Sequence, residues 1–407
     1  MTRERSALPV LAVLMGYWGY LDAINAVAAP LLARDFGLDD RSIPATFGWM
    51  AVGAFASLPL ARAADRLGRR RVLLACVVAL APATALSAAA PTLNSFIAAQ
   101  IFLQGLKGVL MALIPVMVAE SLPTQRRAAG HGRVGLGGAL GSGAALLLVT
   151  TSGEMGGSWR WAWAAAALGI AVVPFALRSL PESQHFTRAE AAGETLHSKA
   201  RELVSARYLR RTVAALTAAA FYPMATAGTQ GWLFYHPVQN LGIDAATVTA
   251  LVMVGGSAGI LGFFAGGRLS EAWGRRATFC GAGIVYLVSA LGFYQVGPDF
   301  PPTPVLGLAL AWSGMAFAGS TAIVPLRAAG TELFPTRLRG AIAGWMAIAT
   351  AGAVVGVNFA VSWLAGTLGG IAPAASVAAF AMLIAMAAFV TLPETRGLEL
   401  ERAALEG

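Results

Sequence analysis

The sequence predicts an all-α integral membrane protein with twelve transmembrane helices, arranged as two pseudo-symmetric six-helix bundles. Of the 407 residues, 57% are hydrophobic and only 12% are charged, whereas a soluble domain carries about 25% charged residues. Long apolar runs recur between short polar breaks, and a run of about 20 apolar residues spans a bilayer as a helix. Polar motifs of the first half also recur in the second half in the same order.

Twelve apolar runs lie between segments rich in charged or turn-forming residues. Two of these breaks are APTLN at 90–94 and GPDFPPTP at 297–304, and proline, glycine and asparagine favour turns. The predicted spans are 9–32, 43–64, 72–90, 93–118, 134–152, 159–179, 211–235, 246–267, 277–296, 303–326, 341–366 and 371–392.

The distribution of basic residues predicts the orientation. Of the 29 Lys and Arg residues, 24 fall at the N-terminus, in loops after even-numbered spans, or at the C-terminus. Arg34, Arg41 and Arg160 fall on the other side, and Lys107 and Arg327 lie within spans. Because basic residues concentrate in cytoplasmic loops, both termini are predicted to be cytoplasmic. We expect a multi-pass protein of the plasma (inner) membrane.

The longest polar stretch, residues 180–210, divides the chain into two groups of six spans. A linker lying along the cytoplasmic membrane surface is favoured for this stretch, and a regulatory site is the alternative. The predicted domains are an N-terminal bundle (1–180), a linker (181–210), a C-terminal bundle (211–393) and a cytoplasmic tail (394–407).

Three motif pairs recur about 206–212 residues apart. They are ADRLGRRR (64–71) with GRLSEAWGRR (267–276), ESLPTQRRAAG (120–130) with ELFPTRLRG (332–340), and LPES (180–183) with LPET (392–395). This ordered recurrence indicates duplicated six-helix bundles, which are typical of alternating-access carriers.

The motifs are predicted to form cytoplasmic gates rather than to carry chemistry. Their glycines permit tight turns between helices, and their acids and arginines can form ion pairs that hold one conformation and break in another. The alternative is that the arginines only fix topology and meet lipid headgroups. The candidate gate residues are Asp65, Arg66, Gly68, Arg69, Arg70, Glu120, Arg126, Glu271, Gly274, Arg275, Glu332, Arg337 and Arg339.

These motifs resemble those of the major facilitator superfamily, over nearly the whole chain. The loop at 64–71 resembles the signature loop of that family. The Glu-x-x-Pro elements and the ending LPETRGLELE (392–401) resemble its sugar porter and metabolite:proton symporter branches. The resemblance implies two six-helix bundles that work by alternating access.

The first span contains GYLD at 19–22. This resembles the Gly-Tyr-Asp of proton-coupled sugar porters and the Asp-containing first helix of organic-acid symporters. In those carriers the aspartate takes the coupling proton and an arginine of the fourth span is its partner. Here the arginine position holds Gln100, and Lys107 lies two turns further along. Span 7 lacks the paired glutamines of sugar porters, so a sugar substrate is less favoured.

Asp22 and Lys107 lie well inside long apolar runs, where a charge is costly and marks a functional site. At helical rise both lie roughly 20 Å from the cytoplasmic edge, so they can face each other in the N-terminal bundle. The chain has 27 Arg and two Lys, and the pKa of lysine moves more readily on burial than that of arginine. Our hypothesis is that Asp22 carries the proton and Lys107 pairs alternately with Asp22 and an anionic substrate. The alternative is a permanent structural ion pair.

Other polar or aromatic side chains within spans are candidates for substrate binding. Interface anchoring is the alternative for the Trp and Tyr residues, and snorkelling or an ion pair with Glu332 is the alternative for Arg327. An interfacial role is favoured for His236. The candidates are Tyr17, Tyr20, Asn25, Gln100, Gln104, Tyr222, Gln230, Trp232, Tyr235, Trp312, Arg327 and Asn358.

The glycine-rich runs at 135–141 and 255–259 are predicted to permit close helix packing rather than to bind phosphate. The sequence has no metal-ligand spacing, hydrolase constellation or nucleotide fingerprint. It therefore predicts neither an enzyme nor a cofactor or metal. Because the net charge of +9 is concentrated in the predicted cytoplasmic loops, nucleic acid is not an expected partner. The expected partners are a small-molecule substrate, protons and the lipid bilayer, and we expect a monomer.

The predicted function is secondary active transport by alternating access. Proton-coupled symport of a small organic anion or related metabolite is favoured, because Lys107 offers a positive charge within the membrane. The alternatives are a proton-driven efflux antiporter of drugs or metabolites, and a proton:sugar symporter.

Overall fold

The computed structural model describes residues 2–122, 124–154, 158–180, 202–300 and 303–396. The predicted all-α membrane fold is confirmed, and the described residues contain no strand. Several helices begin at residues that satisfy their free N–H groups. The Thr92 side chain accepts a hydrogen bond from the Ser95 N–H, and the Asp244 side chain accepts one from the Thr247 N–H.

The first half is built from eight helices and two short 3₁₀ turns among the described residues. The turns, at Val52–Ala56 and Leu168–Val172, interrupt the predicted second and sixth spans. Each contains a glycine, which destabilises a helix interior. The helices are α1 (Thr2–Phe36), α2 (Ser42–Ala51), α3 (Ser57–Leu67), α4 (Arg69–Ala89), α5 (Leu93–Ser121), α6 (Thr124–Glu154), α7 (Arg160–Ala167) and α8 (Val173–Ser179).

The described part of the second half contains seven α-helices and a π-helical turn at His236–Asn240. The last predicted span is divided into two helices around Phe380. The helices are α9 (Leu209–Gln230), α10 (Ala245–Ala272), α11 (Arg275–Gln295), α12 (Pro304–Glu332), α13 (Thr336–Leu368), α14 (Ile371–Ala379) and α15 (Ala381–Val390).

Within the described residues, eleven helical segments are long and apolar enough to cross a membrane. The predicted seventh span, 211–235, corresponds to α9 followed by turns that extend to Tyr235. Its sequence is rich in alanine and threonine and reaches the polar Gln230, which makes α9 less apolar than the other eleven segments.

Contacts divide the chain into two compact units. The first comprises Met1–Asp39 and Trp49–Gly193, and the second comprises Asp40–Gly48 and Glu194–Gly407. Residues 40–48 thus group with the second unit, whereas the sequence placed them in the N-terminal bundle. The carboxylate of Asp40 explains this grouping, because it accepts hydrogen bonds from Tyr235 Oη at 2.9 Å and from the Ile371 N–H at 3.0 Å.

Within the first unit, a cluster around Arg160 holds the C-terminal end of α1. Arg160 forms an ion pair with Asp35, and its Nη2 donates to the Ala90 carbonyl at 3.0 Å. The guanidinium also lies 4.4 Å from the centroid of the Trp159 ring, in the range of a cation–π contact. These contacts tie α1, which carries Asp22, to α4 and α7.

Both glycine-rich runs lie at close helix contacts, in agreement with their predicted packing role. A Cβ on Gly137 or Gly141 of α6 would collide with the carbonyl oxygen of Ala12 or Gly16 of α1. In the second unit, a Cβ on Gly255 of α10 would collide with the Trp312 ring. Small residues allow helix backbones to approach closely in membranes.

Replacing Gly141 by alanine is expected to destabilise the protein by about 1–3 kcal/mol, the usual effect of overpacking. Thermal unfolding of the purified protein in detergent measures this effect. Gly143→Ala on the same helix is the matched control, because a Cβ there meets nothing within 4 Å. Equal losses of thermal stability in the two variants would contradict the packing account.

Candidate functional site

Asp22 on α1 and Lys107 on α5 form an ion pair within the first unit. Lys107 Nζ lies 2.9 Å from Asp22 Oδ1. The Lys107 side chain is 10% exposed, whereas the Asp22 side chain is 51% exposed. The ammonium therefore depends on a nearby anion, because burying an unpaired charge is strongly unfavourable. The carboxylate retains a face that the rest of the protein does not cover.

Two glycines near Lys107 lie at a close helix contact of α5. A Cβ on Gly105 would crowd the Cβ of Ala56, and one on Gly108 would crowd the Cβ of Ser57. The glycine side of α5 thus packs directly against the turn that precedes α3 and against its first residue. Lys107 lies between the two glycines in sequence, and its side chain extends to α1 instead.

A chain of polar side chains lies beside the ion pair, with Asn25 one turn from Asp22 on α1 and Gln100 two turns from Lys107 on α5. Asn25 Nδ2 donates to Gln100 Oε1 at 3.2 Å, and Gln100 Nε2 donates to Ser87 Oγ at 3.0 Å. Ser87 donates in turn to the Ala83 carbonyl at 2.9 Å. All three side chains are buried. Asn25 and Gln100 were predicted from their polarity, but Ser87 was missed because a small hydroxyl in an apolar run gives no signal.

The remaining substrate-binding candidates of the first unit are Tyr20, Gln104 and Tyr17. Tyr20 Oη donates to the Ala162 carbonyl of α7 at 2.7 Å, so its hydroxyl serves a helix contact. Gln104 is half-buried on α5. The hydroxyl of Tyr17 is buried without a hydrogen-bond partner among the described residues.

The second unit contains seven of the predicted substrate-binding residues, and one of them, Trp312, donates through Nε1 to the Val252 carbonyl at 3.1 Å. Tyr235 donates to Asp40, and Trp232 is fully buried and stacks on Phe47 with ring centroids 5.4 Å apart. The Asn358 amide donates to Val354 of its own helix at 2.8 Å. Gln230 is half-buried, and Arg327 is exposed.

A group of buried hydroxyls in the second unit was not fully anticipated. Tyr222 Oη donates to the Gly319 carbonyl at 2.8 Å. Tyr286 and Thr229 share a hydrogen bond of 2.6 Å, and Tyr294 donates to the Thr229 carbonyl. The sequence singled out only Tyr222. Tyrosines within apolar runs were the available signal for the other two, because a buried tyrosine hydroxyl usually finds a partner.

The predicted gate motifs of the second half form a connected network. Arg275 donates to Glu332 through Nη2 at 3.0 Å and through Nε at 3.2 Å. This two-bond geometry is the strongest form of an arginine–carboxylate pair. The Thr395 hydroxyl also donates to Glu332. Glu332 therefore pairs with Arg275 and not with Arg327, the partner weighed from sequence.

Glu394 caps the first turn of α11. Its carboxylate accepts hydrogen bonds from the N–H groups of Arg275 at 2.9 Å and Arg276 at 3.0 Å. Gly274 stands at the N-cap with φ 93° and has no side chain with which to cap the helix. Glu394 is not among the gate residues predicted from the sequence, although its place in the repeated Leu-Pro-Glu motif was the available signal.

The other gate candidates have varied surroundings. Arg339 donates to the Phe334 carbonyl at 3.2 Å, and Arg70 donates to the Leu177 carbonyl. Arg66 and Glu271 are exposed, and Arg69 is half-buried. Gly68 adopts φ 97°, matching Gly274. The side chains of Asp65, Glu120, Arg126 and Arg337 lie outside the described residues.

The Glu394 carboxyl links the stability of this network to pH. Burial would raise its pKa, but hydrogen bonds from backbone N–H groups, those of Arg275 and Arg276 first, hold the pKa below its ordinary value. A depressed pKa in the folded state stabilises the protein above the pKa of the unfolded chain. That contribution is lost as the pH falls through the folded-state pKa.

Glu394→Ala is accordingly expected to lower stability near pH 7 by about 0.5–2 kcal/mol, as for other lost helix caps. The difference from wild type should shrink as the pH falls below about 4. Melting temperatures of both proteins across a pH series measure this. Glu271→Ala, which removes an exposed acid from the same motif region, is the control. A pH-independent difference would contradict the linkage.

The sequence and the fold match known transporters. The profile of the Major Facilitator Superfamily matches residues 11–357. The gentisate transporter of Corynebacterium glutamicum is 26% identical over 388 residues, which cover 88% of this chain and 82% of that protein. The plastidic glucose transporter 4 of Arabidopsis thaliana is 26% identical over 331 residues, covering 69% of this chain and 58% of that protein.

Solved structures agree in fold. The inward open conformation of the xylose transporter XylE from E. coli superposes with a TM-score of 0.74 at 17% identity, covering 99% of both chains. A mutant of the nucleoside transporter NupG superposes with a TM-score of 0.77 at 14% identity, covering 95% of this chain and 99% of that one. The family profile, which covers residues 11–357, shows that the chain belongs to the Major Facilitator Superfamily and is a multi-pass membrane transporter, not an enzyme.

Proposed function

We propose that the protein is a proton-coupled symporter of a small organic anion. The observation that carries this proposal is the Asp22–Lys107 pair, in which a buried ammonium is neutralised by a half-exposed carboxylate. A purely structural ion pair could have both of its side chains buried. Here the carboxylate remains accessible, so it can be protonated while a second anion takes its place beside Lys107.

The coupling follows from charge balance at Lys107. When Asp22 is ionised it neutralises the ammonium, and an anionic substrate must compete with it. When Asp22 takes up a proton it loses its charge, and Lys107 then requires another anion because an unpaired buried charge is unfavourable. A substrate carboxylate meets that requirement, so proton and substrate bind together and leave together.

The alternating exposure of this site would be controlled by the cytoplasmic motifs. The Arg275–Glu332 pair, with Glu394 and Thr395, ties α11 and α12 to the segment that follows α15. In our proposal this network, and its counterpart in the first half, holds one conformation and opens in the other. The moving bodies would be the predicted bundles 1–180 and 211–393, in the inner membrane with both termini cytoplasmic.

The similarity to a protein named for gentisate supports an anionic substrate, since gentisate is a carboxylate. Proton:sugar symport is the second candidate, favoured by the similarity to a glucose transporter. A neutral sugar, however, would leave Lys107 without an anion once Asp22 is protonated. We therefore place the organic anion first.

Transport in proteoliposomes tests the proposal. We expect an inward proton gradient to drive accumulation of an organic acid, and a protonophore to abolish it. A panel of carboxylates, sugars and amines would identify the class. Accumulation of a sugar but of no acid would favour the second candidate. Uptake driven only by an outward movement of protons would contradict symport and indicate an antiporter.

A further inference from the structure

A buried histidine begins the π-helical turn His236–Asn240. His236 is 4% exposed, and neither of its ring nitrogens has a hydrogen-bond partner among the described residues. A neutral imidazole carries one donor and one acceptor, and buried polar atoms are nearly always hydrogen-bonded, so two unsatisfied nitrogens require an explanation. The site that holds this ring suits neither its polar atoms nor a positive charge.

Aromatic rings and an uncharged helix surround the ring of His236. Its centroid lies 5.4 Å from that of Tyr294 and 6.3 Å from that of Phe293, both on α11. The Tyr294 hydroxyl donates to the Thr229 carbonyl. The helix α10 also packs against the turn, and its residues 245–267 carry no charge. Neither helix therefore offers an anion that could stabilise a protonated ring.

Both ends of the turn are bound to Asp40. Tyr235 Oη donates to Asp40 Oδ1 at 2.9 Å, and Asn240 Nδ2 donates to Asp40 Oδ2 at 3.0 Å. The Ile371 N–H, at the start of α14, also donates to Oδ2 at 3.0 Å. We call these three hydrogen bonds the Asp40 clasp. They hold residues 40–48 on the second unit, with His236 between two of the donors in sequence.

The closed clasp favours the neutral form of His236. Burial lowers the pKa of His236, and the Asp40 carboxylate and the Asn240 amide offset this only in part, so the pKa lies below its ordinary value. The Asn240 amide is engaged by Asp40. Asp244, the other carboxylate close to the turn in sequence, is exposed and caps α10. A ring that reaches water regains its ordinary pKa, so acid favours the form in which the clasp is open.

We propose that His236 is a proton-sensitive switch, which opens the Asp40 clasp and frees residues 40–48 from the second unit when its ring becomes charged. Histidine is the side chain whose charge changes most readily near neutral pH. In the predicted orientation the clasp lies on the side opposite the cytoplasm, so external acidity would open it. The switch involves neither Asp22 nor Lys107 and requires no substrate, so it stands or falls separately from the proposed function.

Thiol labelling of Ser362→Cys in the purified full chain tests this proposal. The two native cysteines, Cys76 and Cys280, are first replaced by alanine. Ser362 is 8% exposed and donates to the Arg41 carbonyl at 2.7 Å, so a thiol at this position is covered while the clasp is closed. Its labelling rate is divided by that of the exposed Asp299→Cys, which removes the effect of pH on thiol reactivity. This ratio should rise as the pH falls from about 7.5 to about 5.5, by at most about tenfold per pH unit for one proton.

Two neutral variants assign the response to the ring. His236→Phe keeps an aromatic ring against α11 and His236→Gln keeps polarity, but neither can take up a proton in this pH range. Both should lose the rise in labelling at low pH, and Asp40→Asn should label rapidly even at pH about 7.5, because its amide group replaces an acceptor oxygen. A pH response that persists in both neutral variants would overturn the inference, and so would a ratio in the parent protein that does not change with pH. Rapid labelling of both neutral variants at every pH would show that the ring is only structural.

Discussion

Asp22→Asn is expected to abolish proton-driven accumulation of substrate while preserving substrate exchange. Asparagine resembles a protonated carboxyl group in shape and charge, so the variant is held in the proton-loaded form. Lys107 then remains open to a substrate anion throughout the cycle, and no proton can be released with it. Uptake against a gradient should therefore fall to the background level, whereas counterflow of labelled against unlabelled substrate should continue.

Proteoliposomes with and without a pH gradient provide this measurement. Asp299→Asn is the control, because Asp299 is exposed and lies outside the membrane spans. Its accumulation should match that of wild type. Full accumulation by Asp22→Asn would show that another group carries the proton, and loss of both accumulation and counterflow would indicate a structural role.

Lys107→Gln is expected to weaken binding of the acid by about 30-fold or more, since removing one member of a buried charge pair costs about 2–5 kcal/mol. Glutamine retains hydrogen bonding but offers no positive charge to a carboxylate. Asp22 tolerates the loss of its partner because it is half exposed. Thermal stabilisation by a series of acid concentrations measures the affinity.

Lys199→Gln supplies a control for this variant, since Lys199 is the other lysine of the chain and lies in the predicted linker. It should bind acid as wild type does. Lys107→Arg tests the choice of lysine: it keeps the charge, but guanidinium binds carboxylate in a planar, two-bond geometry that differs from that of an ammonium. Unchanged acid affinity in Lys107→Gln would mean that the ion pair is purely structural.

Much of this architecture could be predicted because lipid restricts the possible structures. A backbone within a bilayer must satisfy its own hydrogen bonds, so apolar runs become helices. Lys107 and Asp22 were recognisable for a related reason, since each is a charge where charges are rare. Arg275 and Glu332 were predicted on a different basis, because they belong to motifs that recur in both halves of the chain.

Other features depend on contacts between distant segments and left no local signal. The Ser87 hydroxyl matters only because Gln100 packs against it. Asp40 groups with the second unit through three hydrogen bonds to residues about 200–330 positions away. The Asp22–Lys107 contact itself joins residues 85 positions apart; helical rise placed them at one depth but could not establish that the side chains meet.

The most direct test of the central claim is the change in bound protons when substrate binds. Purified protein in weakly buffered detergent solution, with a pH indicator, should take up a proton for each acid bound under conditions in which Asp22 begins ionised. The Asp22→Asn variant should bind the same acid with no proton uptake. Binding of the acid to wild-type protein with no change in bound protons would contradict the proposal that Asp22 and Lys107 respond to one another.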